Sequence, residues 1–365
     1  MKIVVTGTRG IPGIQGGVET HCEELYPLIA DEQHEIIVVR RPAYAVDRSV
    51  KTYKQVTIKD IKVVRNKHLE AFLHTFLSVL YARKTGADIV HIHAIGPALM
   101  TPIVRMLGMK AVVTHHGPDY DREKWGPFAK WILRMGEKAG IHYANHIIVI
   151  SEHIRQMIQY RYPLKNNITL IHNGVNARYA ISDTEYLHSL GLTEYGYILA
   201  VGRLVKEKGF DKLVEAFRLL SPSSVKLVIA GDADHQDEYA QKLKEVCQGE
   251  DNILLIGFIK GDKLAQLYEY ARVFALPSTH EGLPIALLEA MSHGCPILAS
   301  DIPANKEIEL PDDCYFNSDD SADLRKTLEK KIKNTQNERI AYDLSSYNWT
   351  HIAKQTKDIY DSLIM

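Results

Sequence analysis

Two carboxylates stand eight positions apart, Glu281 and Glu289, in the stretch "STHEGLPIALLEAMSHGCPILASDI". Glu281 lies in "HEGLP", where Gly282 and Pro284 argue against regular structure. Glu289 falls in "IALLEAMSHG", a run of good helix formers that Gly294 closes as a C-cap. "CPILAS" then reads as a buried parallel strand. A loop carrying one carboxylate thus feeds a helix start, with the second carboxylate about one turn in. Such a start offers unpaired backbone N–H groups and a positive dipole end, which suit phosphate. Carboxylates there would repel the phosphate unless they face hydroxyl groups, from which their oxygens accept hydrogen bonds. The chemistry implied is an anionic group flanked by two polyols, which is the make-up of a nucleotide-sugar.

Further groups of the right type stand elsewhere. "YILAVGRLVKEKGFDKLVEAF" reads as a strand ending in Gly202, then Arg203, with Lys208-Gly209 five positions on at the start of an apolar-periodic helix. A guanidinium fork and an ammonium point charge suit a diphosphate. Ordinary surface cations are the plain alternative, but both fall at the C-terminal end of a parallel strand. At the N-terminus a strand over Lys2–Thr6 is followed by Gly7, Gly10, Gly13, Gly16 and Gly17. A helix begins at about Val18, with Val18, Cys22, Leu25 and Ile29 on its core face. Strand, glycine loop, helix is a phosphate-cradle layout, weak evidence alone. Glu19 in the first turn is a dipole-stabilising acid in its ordinary role. His93 and His116 end two strands, "ADIVHIHA" and "KAVVTHHGPD", although a lone histidine is more often structural.

These groups need strands to carry them. "HEIIVVRR", "HIIVISEHIRQMI", "VKLVIAGD" and "NILLIGFI" supply more strands, and "LEAFLHTFLSVLYARK" a strongly apolar helix. Alternating strands and helices, with polar residues at strand ends, predict doubly wound parallel sheets with the site at the strand C-termini. The chain of 365 residues suits two domains. The boundary falls near His172, giving 1–172, 173–346, and a last segment 347–365. No apolar run of about 18 residues spans a membrane, and the start lacks a signal peptide's cleavage site. The four cysteines are scattered without a CxxC pair, which fits a reducing cytoplasm and no metal framework. Nothing in the composition suggests nucleic acid as a partner.

The Glu-x7-Glu stretch resembles the motif of retaining glycosyltransferases of family 4 with the GT-B fold. "GGVE", "GRL…K.KG", "ITLIHNGVNARY" and the closing "SYNWTHIAKQTKDIYDSL" extend the resemblance over nearly the whole chain. Asn176 stands where the family's junction usually has Asp, and "DIPANKEI" replaces a Gly-rich turn common in the family. The resemblance implies an α/β fold of two Rossmann-like doubly wound domains facing an interdomain cleft, with the last helix returning to the first domain. It implies a retaining transfer of a sugar from a nucleotide-diphospho-sugar, UDP- ahead of GDP- or dTDP-, to an acceptor hydroxyl. Glu281 would take the donor sugar and Glu289 the ribose, Arg203 and Lys208 the diphosphate, and Phe258 and Ile259 would face the base. Gly16 and Gly17 would lie near the diphosphate, and His116 near the sugar's 6-hydroxyl and the reacting centre. Backbone amides of Gly282, Leu283 and Ile285 would assist the leaving group. Asp119 and Lys124 would contact the acceptor. Neither a cofactor nor a metal is implied.

Two other functions fit the fold: a nucleotide-sugar 2-epimerase, and a catalytically silent nucleotide-sugar-binding protein. The Glu-x7-Glu and "GRL…KG" pair speaks against the first, and the complete residue set against the second. Charge adds a clue about the acceptor. Residues 1–170 hold 23 Lys and Arg against 15 Asp and Glu, and residues 171–365 hold 21 against 30. The helix that opens with residues 69–80 reads first as one packed in the core of the first domain. The competing reading, with Arg65, Lys67 and His68 leading into those apolar residues in a basic first half, is a helix on an anionic membrane face. The expectation is a cytoplasmic enzyme, peripheral at the inner membrane face, whose acceptor is a glycan or a polyprenyl-diphosphate-linked glycan of surface polysaccharide synthesis.

Overall fold

The structure, a computed structural model, describes residues 1–64, 70–122, 125–177, 181–220, 225–233, 238–334 and 339–364. Arg65, Lys67, His68 and Lys124 lie outside the described residues. The chain forms two compact units, one of Met1–Gly174 with Tyr347–Met365, the other of Val175–Ser346.

The first unit runs β1 (Lys2–Thr6), α1 (Gly17–Ile29), β2 (Glu35–Arg40), β3 (Thr52–Tyr53), β4 (Val56–Asp60), α2 (Glu70–Lys84) and β5 (Ile89–His93). It continues through α3 (Thr101–Met106), β6 (Lys110–His115), α4 (Pro127–Tyr143), β7 (His146–Val149), α5 (Glu152–Arg161) and β8 (Ile168–Leu170). The sheet order is β3-β4-β2-β1-β5-β6-β7-β8, parallel apart from β3 on β4. The central strands are runs of Val and Ile buried on both faces, as covered parallel strands must be. Right-handed crossovers fix which face each helix covers. β1 to β2 steps one way along the sheet, while β4 to β5, β5 to β6 and β6 to β7 step the other way. So α1 covers one face, and α2, α3 and α4 form a layer on the other.

Helix α2 is apolar in sequence yet does not pack as a core helix. Its polar Glu70, His74, Thr75 and Ser78 are buried, while Phe72, Leu73 and Leu80 are exposed. Three of these are satisfied locally: Glu70 accepts from the Tyr44 hydroxyl at 3.1 Å, and Thr75 and Ser78 donate to the Ala71 and His74 carbonyls.

The second unit runs α6 (Glu185–Ser189), β9 (Tyr197–Val201), α7 (Phe210–Arg218), β10 (Lys226–Ala230), α8 (Glu238–Cys247), β11 (Ile253–Leu255) and α9 (Asp262–Tyr270). Then come β12 (Val273–Leu276), α10 (Ile285–Ser292), β13 (Ile297–Ser300), α11 (Pro303–Lys306), β14 (Tyr315–Phe316) and α12 (Ser321–Asn334). Its parallel sheet has the order β11-β10-β9-β12-β13-β14. α11 occupies the "DIPANKEI" segment, where a Gly-rich turn was the family expectation. The last helix, α13 (Trp349–Ile364), belongs to the first unit and packs on α1, with Trp349, Ile352, Ile359 and Tyr360 in that unit's core. Each sheet reverses its strand order once, at β1/β5 and at β9/β12, and such switch points are where α/β sheets hold ligands.

Candidate active site

In the second unit Arg203, Lys208 and Glu281 come from the connections at the β9/β12 switch point. β9 ends at Val201, Arg203 follows, and the β12–α10 connection carries Glu281. The Lys208 ammonium donates to Glu281 Oε1 at 2.5 Å, and both side chains are largely sheltered. Two glycines permit this. A Cβ on Gly202 would press on the Lys208 stem at 3.2 Å, and one on Gly209 would lie 2.3 Å from the Pro277 carbonyl oxygen. Gly209 also takes φ +65°, which a side chain disfavours. The strap between β9 and α7 therefore lies flat against the end of β12, and Lys208 reaches the carboxylate 73 residues later.

Helix α10 starts immediately after Pro284, whose carbonyl accepts from Leu287 N at 3.1 Å. The first-turn amides of a helix have no partners within it, so Ile285 presents its N–H at this terminus. Pro284 has none to give. Gly282 and Leu283 precede it in the same loop. One turn on, Glu289 is half-buried and its Oε2 accepts from the Tyr268 hydroxyl at 2.9 Å. Burial, and then the charge of Glu289, push the Tyr268 phenol well above its usual value, so it stays a proton donor. Tyr268 in turn stacks on His293 at 5.8 Å, which joins α9 to α10. Phe258 and Ile259 follow β11, two strands along from β9, and Phe258 is exposed.

In the first unit the glycine loop and two strand ends converge at the β1/β5 switch point. Gly7, with φ +91°, would place a Cβ 2.2 Å from the His93 carbonyl oxygen. Glu19 holds the loop rather than only easing the helix dipole. Its Oε1 accepts from the Thr8 hydroxyl at 3.1 Å and from Arg9 N at 3.0 Å. Gly16 lies over the same carboxylate, and Gly17 at the start of α1 is exposed with open space beside it. Asp119 pairs with Arg122 at 2.9 Å in the turn after β6.

His116 sits in a histidine cluster drawn from three elements. His93 Nδ1 is 2.8 Å from His116 Nε2, and the His21 ring lies edge-on to both, at 5.5 and 5.1 Å. His21 Nδ1 is held by Asn173 Oδ1 at 3.0 Å. Behind them, Tyr26 bonds both His93 Nε2 and His91 Nδ1, Tyr360 also bonds His91 Nδ1, and His91 Nε2 meets Thr114 Oγ1 at 2.7 Å. Burial is the largest cause of the depressed histidine values: His21 goes to about 4, and His93 and His116 lie well below the usual value. The imidazoles are therefore neutral, each with one donor and one acceptor nitrogen. If the Tyr26 proton goes to His93 Nε2, His93 donates to His116 Nε2, and the remaining proton of His116 is on Nδ1. Ring nitrogens of His21, His93 and His116 lie within 4.8 Å of one another, close enough to share an ion, but His93 and His116 spend that spacing on their own hydrogen bond.

Of the sequence-derived residues, the structure brings Lys208 and Glu281 into contact and sets Glu289 one helical turn beyond Ile285. His21, Tyr26, Tyr360 and Tyr268 were not singled out in the sequence. The pair His91 and His93, two apart in a buried strand and so on one face, was the readable signal.

Comparison with known proteins bears on the family and the fold. A family model described as "Glycosyltransferase Family 4" matches residues 15–179, and one described as "Glycosyl transferases group 1" matches residues 183–344. An uncharacterised glycosyltransferase of Methanocaldococcus jannaschii is 25% identical, covering 99% of this chain and 98% of its own length. The Escherichia coli UDP-Gal:alpha-D-GlcNAc-diphosphoundecaprenol alpha-1,3-galactosyltransferase is 26% identical, covering 100% of this chain and 98% of its own. The crystal structure of Anabaena HepE in complex with UDP-glucose shares the fold, with TM-score 0.82 at 18% identity over 99% of this chain and 100% of the other. With its first unit matched to family 4 and its second to group 1, the chain is a glycosyltransferase of the two-domain GT-B type.

Proposed function

We propose that the chain is a retaining transferase that moves a sugar from a nucleotide-diphospho-sugar, UDP-linked in preference to GDP- or dTDP-linked, to an acceptor hydroxyl. Glu281 accepts hydrogen bonds from the donor sugar, and Glu289, steadied by Tyr268, from the ribose. Arg203, Lys208 and the amides of Gly282, Leu283 and Ile285 stabilise the diphosphate as it leaves, the electrostatic work a metal does elsewhere. Phe258 and Ile259 flank the base, and Gly16 and Gly17 admit the diphosphate and acceptor closely. Nδ1–H of His116 donates to the sugar's 6-hydroxyl. The acceptor oxygen attacks on the face the leaving group departs from. Its proton passes to a phosphate oxygen, the C–O bond to the diphosphate breaks, and the new glycosidic bond keeps the anomeric configuration. Asp119 contacts the acceptor, a role the family resemblance also gives to Lys124.

The observation that carries this reading is the Lys208–Glu281 contact at the switch point. It joins a cation suited to phosphate and a carboxylate suited to hydroxyls at one spot, where a sugar diphosphate needs both. The ion pair also keeps either charge from standing alone before the donor arrives. The acceptor in this reading is a glycan on a polyprenyl diphosphate, as the name of the Escherichia coli relative states for that protein. The enzyme would then work at the cytoplasmic membrane face. Among the described residues no helix is long and apolar enough to cross a membrane, so attachment would be peripheral. Arg203→Ala and Lys208→Ala should each lower kcat/KM for the donor by about 2 kcal/mol or more. Near-normal turnover in both variants would remove the diphosphate role.

A further inference from the structure

The helix layer over one face of the first sheet has an outer surface unlike that of an ordinary domain. Helix α4 carries Phe128, Trp131 and Met135 at positions i, i+3 and i+7, so they form one stripe, and they are 73%, 55% and 42% exposed. Phe128 and Trp131 stack on each other at 6.0 Å. The opposite side of α4 is fixed inward. A Cβ on Gly136 would meet the Ile95 carbonyl oxygen at 2.1 Å, and one on Gly140 the Ala98 Cβ at 3.0 Å. The turn these glycines rest on, Pro97–Met100, also supports α2, whose polar side faces in and whose Phe72, Leu73 and Leu80 face out. An inverted helix and an aromatic stripe therefore share one layer.

Charge on this layer has a single sign. Arg83, Lys84, Arg105, Arg134 and Lys138 are exposed on α2, α3 and α4, whereas the acids of these helices, Glu70 and Glu137, are both buried. Water alone does not ask for exposed tryptophan and phenylalanine, nor for three helices whose exposed charges are all cations. A protein partner of mixed charge would not ask for it either. Apolar and aromatic side chains ringed by Lys and Arg are the composition of surfaces that lie in the headgroup zone of an anionic bilayer.

We infer that the outer face of the α2–α3–α4 layer docks on an anionic lipid bilayer, with Phe128 and Trp131 inserted at headgroup depth. The inference deepens the membrane-side reading given above and rests on it for its purpose. It moves the anchor from the segment preceding α2 to the N-terminal turns of α4.

The test is co-sedimentation of the full chain with phosphatidylcholine vesicles, with and without phosphatidylglycerol, at low and high salt and without sugar donor or acceptor. The chain should pellet with phosphatidylglycerol vesicles at low salt and be released by high salt. Phe128→Ser with Trp131→Ser, and separately Arg134→Glu with Lys138→Glu, should each weaken that binding about tenfold or more. Both double variants should retain the parent's circular dichroism and its turnover of nucleotide-sugar with a water-soluble acceptor. A chain that stays in the supernatant with phosphatidylglycerol vesicles, or vesicle binding that neither variant changes, overturns the inference. So does a lipid-free dimer that the Phe128 and Trp131 changes dissociate, since the face would then join two copies. Because no sugar enters the binding assay, its outcome is independent of the transferase reading.

Discussion

Lowering the pH from 6.5 to 5 should destabilise the first unit steeply. Burial holds His21 and His115 at about 4 and His74 and His91 at about 3, and all four belong to that unit. A histidine neutral in the fold but charged when unfolded contributes its full stability above pH 6.5. That contribution is lost as the pH falls from 6.5 toward the folded value, because the unfolded chain binds the proton first. Each such group costs about 1.4 kcal/mol per pH unit over this window, or about 2 kcal/mol by pH 5. Four together approach the roughly 5–15 kcal/mol stability of a typical domain. Trp125, Trp131 and Trp349 all lie in the first unit, so tryptophan fluorescence reports it alone. Urea midpoints followed by fluorescence should drop sharply between pH 6.5 and 5. Constant midpoints would mean that these histidines are solvated or paired with acids.

The two carboxylates of the second unit should separate in their effects. Glu289→Ala should weaken binding of free nucleoside diphosphate by about 2 kcal/mol, the worth of hydrogen bonds to a charged group. It also strands the Tyr268 hydroxyl, which now donates to it. Glu281→Ala removes the partner of Lys208 and leaves that ammonium available for phosphate. Nucleoside diphosphate should then bind as well as before or better, while transfer falls on the order of a hundredfold for want of the sugar contact. Calorimetry with the nucleotide, alongside turnover of the whole donor, reads both. Equal loss of nucleotide affinity in the two variants would contradict the division of roles.

The doubly wound sheets were legible because their strands are short Val- and Ile-rich runs that end in Gly, His or Arg. Placement of β1, α1, α10 and β13 follows from such local signals, among them the Gly294 cap at φ +66°. Contacts between distant segments were not legible. Nothing local in "KEKG" or "HEGLP" states that Lys208 bonds Glu281, since the contact depends on how closely Gly202 and Gly209 let the strap approach. The histidine cluster likewise needs α1, β5 and the end of β6 to meet. Helix α2 misled for a different reason. An apolar helical pattern marks a face to be covered but does not say whether protein or lipid covers it.

Incubating the purified protein with labelled UDP-, GDP- and dTDP-sugars, with and without polyprenyl-diphosphate glycan acceptors, puts the proposed reaction to the test. Retaining transfer predicts release of the nucleoside diphosphate that depends on the acceptor, with the sugar joined in the donor's anomeric configuration. Conversion of the sugar without any acceptor, binding without release, or a product of inverted configuration would contradict it.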